Sequence, residues 1–138
     1  MRLSTRGEYG VRAMIYLALN YHTGDISLST IARDENISQG YLEQIFSRLR
    51  RSGLIHSARG VKGGYTLSRS PENIYVGDII RALEGPIVPV ECVSGEHSKV
   101  DCSRSDECLA KHVWEKLRDT INLLLDSISL QDMLNWKH

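Results

Sequence analysis

Residues 38–65 read SQGYLEQIFSRLRRSGLIHSARGVKGGY, and this stretch decides the fold. Ser38 stands where a helix cap belongs, and Leu42, Ile45, Phe46 and Leu49 follow at helical spacing. The pattern predicts an amphipathic helix with Arg48, Arg50 and Arg51 in its last turns. Gly53 is placed to end it. Leu54 to Ser57 and Tyr65 to Leu67 then read as two short strands around Arg59-Gly60-Val61-Lys62-Gly63-Gly64. Glycines there permit the positive φ of a hairpin tip and let the backbone approach a surface closely. Helix, glycine stop, strand and cationic hairpin is the order of a winged helix, whose helix enters the DNA major groove while the hairpin follows the backbone or the minor groove.

Working outward, Val11, Met14, Ile15, Leu17, Ala18 and Tyr21 recur at helical spacing and predict a helix over Glu8–Tyr21, broken by Gly24-Asp25. Ser27 or Ser29 can cap a short second helix holding Ile31 and Ala32 and ending near Asn36. Two short helices joined by a tight turn, the second basic, make a helix-turn-helix. After the hairpin, Pro71 to Glu84 predicts another helix, stopped by Gly85-Pro86. From Ile87 to about Glu107 periodicity disappears. Then Leu109, Val113, Leu117, Ile121, Leu124 and Ile128 repeat at 4-4-4-3-4 spacing, which predicts a helix of about 20 residues, ~30 Å long. Its apolar face is too long for a small winged helix to cover, so it reads as a dimerisation helix, with Leu130, Met133, Leu134 and Trp136 packing against it. The expected fold class is mainly α with a small β-hairpin wing. The expected units are a winged helix-turn-helix over 1–85, a cysteine-bearing cluster-binding loop over 86–108, and a dimerisation helix with a C-terminal segment over 109–138.

The 138 residues carry 17 Lys/Arg against 17 Asp/Glu, a balance that by itself argues against a nucleic-acid partner. The charge is segregated, however. Residues 1–70 hold ten cations and five acids, and residues 71–138 hold seven and twelve. A basic half can bind phosphate while an acidic half stays off it. No apolar run approaches the roughly 18 residues of a membrane span, and no secretory signal stands at the start, so a cytoplasmic protein without a membrane partner is expected. Nor is there a nucleophile–base arrangement, a phosphate loop or a zinc–water signature, so an enzyme is not expected.

On the reading helix, Gln44 can pair with adenine, Ser38 and Tyr41 can hold phosphates, and Gln39 and Gly40 share the exposed start of the helix. Glu43 is repelled by phosphate unless it accepts a hydrogen bond from a cytosine amino group, so it makes binding conditional on sequence. On the wing, Arg59 beside Gly60 is placed to enter a narrow minor groove, with Lys62 and Gly63 completing the tip.

Three cysteines fall in the aperiodic stretch and just beyond it, as Cys92-x9-Cys102-x5-Cys108, with His112 following. Structural zinc sites present Cys-x2-4-Cys knuckles, and none occurs here. Widely spaced thiolates suit an iron–sulfur cluster better, while a redox thiol switch stays open. The fourth ligand is open among His112, His97, Asp106 and Glu107.

The segments MRLSTRGEYGVRAM, ISQGYLEQIFSRLRRSGLI, ARGVKGGYTL, VGDIIRALEG and CLAKHVWEKL together resemble the IscR-type iron–sulfur cluster regulators over essentially residues 1–136. The resemblance implies a homodimeric winged-helix transcription factor on palindromic double-stranded promoter DNA. It also implies one [2Fe–2S] cluster per subunit, cluster donor proteins as partners, and control of cluster-assembly genes. It places Glu43 and Gln44 at base-reading positions, Arg59 at the wing position, and Cys92, Cys102 and Cys108 at cluster positions. Two departures stand out. The first cysteine gap is longer than usual, and Lys111 occupies the place of the ligand histidine, with His112 one position late. Two other readings of the chain are a cluster-free winged-helix repressor that senses through a partner protein and a thiol-redox sensor.

Overall fold

The computed structural model of the chain describes residues 3–58, 63–90, 93 and 108–136. Helix α1 spans Thr5–Leu19 and is capped by Ser4, whose hydroxyl accepts from the Gly7 amide at 3.3 Å. It therefore begins earlier than the apolar pattern predicts, because its first turn is polar and held by the cap and by Glu84, which accepts from the Ser4 amide at 2.8 Å. Gly10 is a glycine by necessity. A Cβ there would lie 2.0 Å from Cδ1 of the buried Leu83, so α1 and the segment carrying Leu83 can approach this closely only without it.

Helix α2 spans Leu28–Glu35 with Ser27 as its cap. Asn36 ends it in the left-handed region at φ 54°, a conformation asparagine tolerates better than most residues. Ile37 is buried in the turn, and Ser38 opens α3, Gln39–Arg51, accepting from the Tyr41 amide at 3.3 Å. Leu42, Ile45, Phe46 and Leu49 are all fully buried, a stripe that contributes roughly 1.5–3 kcal/mol per side chain relative to exposure. Gly53, at φ 81°, turns the chain out of the helix.

Strands β1 (Ile55–Ala58) and β2 (Gly64–Leu67) pair antiparallel, from Ile55 opposite Leu67 to Ala58 opposite Gly64. Ile26 adds a bridge to Tyr65, and the Tyr65 ring meets Phe46 edge to face at 4.8 Å. The hairpin is thereby fixed to both the reading helix and the segment before α2. A 3-10 turn at Pro71–Asn73 leads into α4, Val76–Glu84, which buries Ile79, Ile80 and Leu83. Two helices complete the chain, α5 over Leu109–Ser127 and α6 over Leu130–Asn135. Leu130 is fully buried in the winged-helix core, with Met133 and Leu134 packed against it. The C-terminal segment thus returns to α1 and the 3-10 turn, not to the long helix as its apolar pattern suggests. Among the described residues no helix is long and apolar enough to cross a membrane.

Candidate nucleic-acid interface

The outer face of α3 is what its buried stripe leaves over. Gly40, Glu43, Gln44, Ser47, Arg48 and Arg51 line one open cleft on it. Glu43 and Gln44 are exposed, and Glu43 makes no ion pair within 4.0 Å among the described residues. Its carboxylate therefore shares this face with Arg48 and Arg51 without a direct ion pair to either. Ser38 spends an oxygen lone pair on the cap and keeps its hydroxyl proton for an acceptor outside. Tyr41 is half-buried, its ring edge to face with Tyr9 at 6.0 Å, so its position is set by the core.

The three arginines separate in role. Arg48 Nη1 donates to the Leu83 carbonyl at 3.4 Å and Arg51 Nε to the Ser47 carbonyl at 3.4 Å, while Arg50 is exposed. Arg48 thus ties the reading helix to the end of α4. Ser47 shares the outer face with Glu43 and Gln44, four and three residues on. Sequence reasoning passed over it because a lone serine inside a helix gives no compositional signal.

The wing arms bring Gly63 beside Gln39 and Ser29, which line a cleft of about 370 Å3 between the hairpin and the start of α2. Gly63 adopts φ 46°, as expected of a hairpin tip. Gly64 has a packing reason as well, since a Cβ there would lie 3.1 Å from the Ile26 backbone. Arg59, Gly60 and Lys62 lie outside the described residues.

Helix α5 has two unlike faces. Arg81 on α4 donates through Nη2 to Asn122 Oδ1 and Asp126 Oδ2, each at 2.8 Å. Asn122 also donates to the Ile87 carbonyl at 2.9 Å, and Arg118 Nη1 to the Val93 carbonyl at 2.9 Å. Backbone bonds from Val76 to Ile128 and from Leu130 to Ile74 lock the far end of the helix to the start of α4. These partners, at 118, 122 and 126, form one stripe of the helix. Roughly opposite lie Leu109, Val113, Leu117 and Leu124, exposed by 81%, 55%, 41% and 57%. None of the nineteen residues of α5 is buried.

Cys108 is the N-cap of α5, half-buried, with no side-chain cap bond, so its sulfur is uncommitted among the described residues. An anionic ligand at this place faces the positive end of the helix. His112 is exposed one turn further on, on the same side of the helix as Cys108, while Lys111 occupies the third helical position. The described part of the donor set, one free thiol at a helix start with an imidazole a turn away, fits an iron–sulfur ligand sphere. Cys92 and Cys102 lie outside the described residues, and no cluster of three metal-ligating side chains occurs among those described.

Comparison with known proteins agrees with this architecture. Residues 3–136 match the Rrf2 family model, described as iron-dependent transcriptional regulator. The chain is 43% identical to the HTH-type transcriptional regulator CymR of Bacillus subtilis over 99% of its own length and 91% of the relative's. It is 39% identical to the regulator IscR of an Enterobacter species, over 98% and 80%. Among solved structures it superimposes on B. subtilis CymR, the global cysteine regulator, with a TM-score of 0.82 at 42% identity, covering 100% and 99% of the two chains. For IscR from T. potens the score is 0.77 at 44% identity, covering 97% and 86%. The relatives are transcriptional regulators, not enzymes, and the winged helix described above belongs with them: this chain is a member of the Rrf2 family of transcriptional regulators.

Proposed function

We propose that the protein binds palindromic double-stranded promoter DNA as a homodimer and reports on iron–sulfur status through a [2Fe–2S] cluster on each subunit. The observation that carries the DNA reading is the outer stripe of α3, where Glu43 stands beside Gln44 without an ion pair among the described residues, while Gln39 at the start of the helix lines a cleft with the arms of the wing. In this reading Gln39, Glu43 and Gln44 face base edges, Ser38 and Tyr41 hold phosphates, Gly40 and Gly63 let backbone approach, and Arg59, Gly60 and Lys62 form the wing contact. The exposed stripe Leu109, Val113, Leu117 and Leu124 meets its copy in a second subunit, which sets the spacing of two reading heads. Functionally the chain divides into the reading head over 1–85, the sensing loop over 86–108 and the dimerising part over 109–138.

Cys92, Cys102 and Cys108 would hold the cluster, with His112 the nearest described candidate for the fourth position. When bound, the cluster supplies a one-electron redox centre and a label of iron and sulfide supply. Its loading would come from cluster donor proteins, and genes of cluster assembly are the natural targets. A second reading, a thiol-redox sensor without iron, is favoured by the uncommitted thiol of Cys108 and by the likeness to a cysteine regulator.

Anaerobic purification followed by iron, sulfide and visible-absorption measurement separates the two. Stoichiometric iron and sulfide with charge-transfer bands support the cluster. Their absence, with reversible oxidation of Cys108 altering operator binding, supports the thiol switch. For the DNA face, operator selection with Arg59→Ala and Glu43→Ala at matched salt is decisive. We expect the first to lose affinity, by roughly tenfold for one good contact. The second should relax sequence choice. Unchanged footprints for both would place the contacts elsewhere.

A further inference from the structure

Gly40 has no structural reason to be glycine. It sits in the first turn of α3 without the positive φ that marks five other glycines of the chain, so its backbone makes no demand. Among the described residues a Cβ built on it meets nothing within 4 Å, so packing makes none there either. Gly10, where a Cβ would lie 2.0 Å from Leu83 Cδ1, shows what a packing requirement looks like in the same fold. Glycine in the middle of a helix is less stable than alanine by roughly 0.5–1 kcal/mol, and in the first turn it is still the poorer helix former. The residue therefore gives the helix nothing, and no contact among the described residues offsets that.

Its return lies outside. Gly40 shares the outer face with Glu43 and Gln44, three and four residues on, and lines the same open cleft with them and Ser47. From this we infer that Gly40 sets how deeply α3 seats in the major groove and is a specificity-determining residue of the DNA interface. A missing side chain at the leading end of the helix lets its backbone approach the base edges. That brings the side chains of Glu43 and Gln44 within hydrogen-bond reach of the base edges, where discrimination is made. Contacts to phosphate, which tolerate a shallower seat, do not depend on it.

The inference rests on the DNA-reading role proposed above, and the test separates the two. Gly40→Ala and Gly40→Leu are compared with the wild type in thermal unfolding, in affinity for a duplex selected by the wild-type protein, and in affinity for an unrelated duplex at the same salt. Both variants should melt at or above the wild-type temperature, because alanine and leucine are better helix formers. Affinity for the selected duplex should fall by about tenfold for alanine, the worth of one good base contact, and further for leucine. Affinity for the unrelated duplex should stay within about twofold of wild type, since it rests on phosphate contacts. Undiminished operator affinity in both variants would overturn the role of Gly40 and leave the DNA reading intact. A wild-type protein that selects no duplex would overturn the DNA reading itself.

Discussion

Helices α3 and α5 look alike as strings, each an amphipathic run with apolar residues every three or four positions, yet they end in opposite surroundings. In α3 the stripe Leu42, Ile45, Phe46 and Leu49 is sealed, and the polar face is offered outward. In α5 the polar face is turned inward, onto Arg81 and the stretch after α4, and the apolar stripe is left in water. The difference teaches that amphipathicity says which residues want a partner, not where that partner is. For α3 the partner is the rest of its own domain. For α5 the described residues of its own chain supply no cover, and exposed apolar patches of this kind mark association sites, which is the surface the proposed homodimer uses.

The comparison breaks first at Leu117. In the homodimer proposed above, Leu117→Glu places one charge from each subunit in the interface, and a buried unpaired charge is destabilising by about 3–5 kcal/mol. Even a much smaller realised penalty weakens dimerisation by roughly a hundredfold. Sedimentation should show a monomer at concentrations where the wild type is dimeric, with circular dichroism little changed because Leu117 is exposed and lies outside the buried core. Affinity for a palindrome should fall toward that for a single half-site. A variant that remains fully dimeric would assign the exposed stripe to some other surface.

This contrast also marks what could be read from the chain. The reading helix was legible because its cap, stripe and stop all lie within fifteen residues and agree with one another. The wing was legible from its glycines, and the long helix from its repeat. Partnership was not. Leu130 belongs to the winged-helix core, yet its segment reads as packing against the long helix, because periodicity carries no address. The seam of Arg81, Asn122 and Asp126 joins residues more than forty positions apart, and no local pattern announces such a pairing. The cysteine trio was conspicuous by spacing. What the structure adds is that Cys108 opens α5 with its sulfur uncommitted.

A second test sharpens the contrast by loosening the polar seam. Arg81→Met removes two charge-assisted hydrogen bonds between α4 and α5. The Arg81 and Asp126 side chains are about a third and nearly half exposed, so solvent screening limits the loss to about 1 kcal/mol. Hydrogen exchange should accelerate in α5 while the amides of α3, held by their own buried stripe, keep their protection. Asp126→Asn should do the same more weakly. Equal acceleration in both helices would mean that the reading head leans on the seam as heavily as α5 does.

The smallest effect lies where the reading head has a polar fastener of its own. The Tyr16 hydroxyl on α1 donates to Asp34 Oδ2 on α2 at 2.5 Å. That bond, aided by Arg33, holds the Asp34 carboxyl below its ordinary range, and the same bond holds the Tyr16 phenol above its own. The signs follow from the two shifts. A lowered carboxyl contributes stability that is present above its unfolded value, about 3.9, and is lost as pH falls through the folded one. A raised phenol contributes stability that is present below about 10 and is lost as pH rises through its folded value. Tyr16→Phe should therefore be less stable than wild type by a small, constant margin between about pH 5 and 9, and the margin should close at both ends. Both groups are exposed, so the effect is modest, and denaturant midpoints taken across pH will resolve it better than single melts. If the margin stays open at acid pH, the carboxylate of Asp34 is not what the hydroxyl recognises. The platform beneath α3 would then rest on burial and on the Arg12 bond to the Glu35 carbonyl, while α5 still depends on its polar seam.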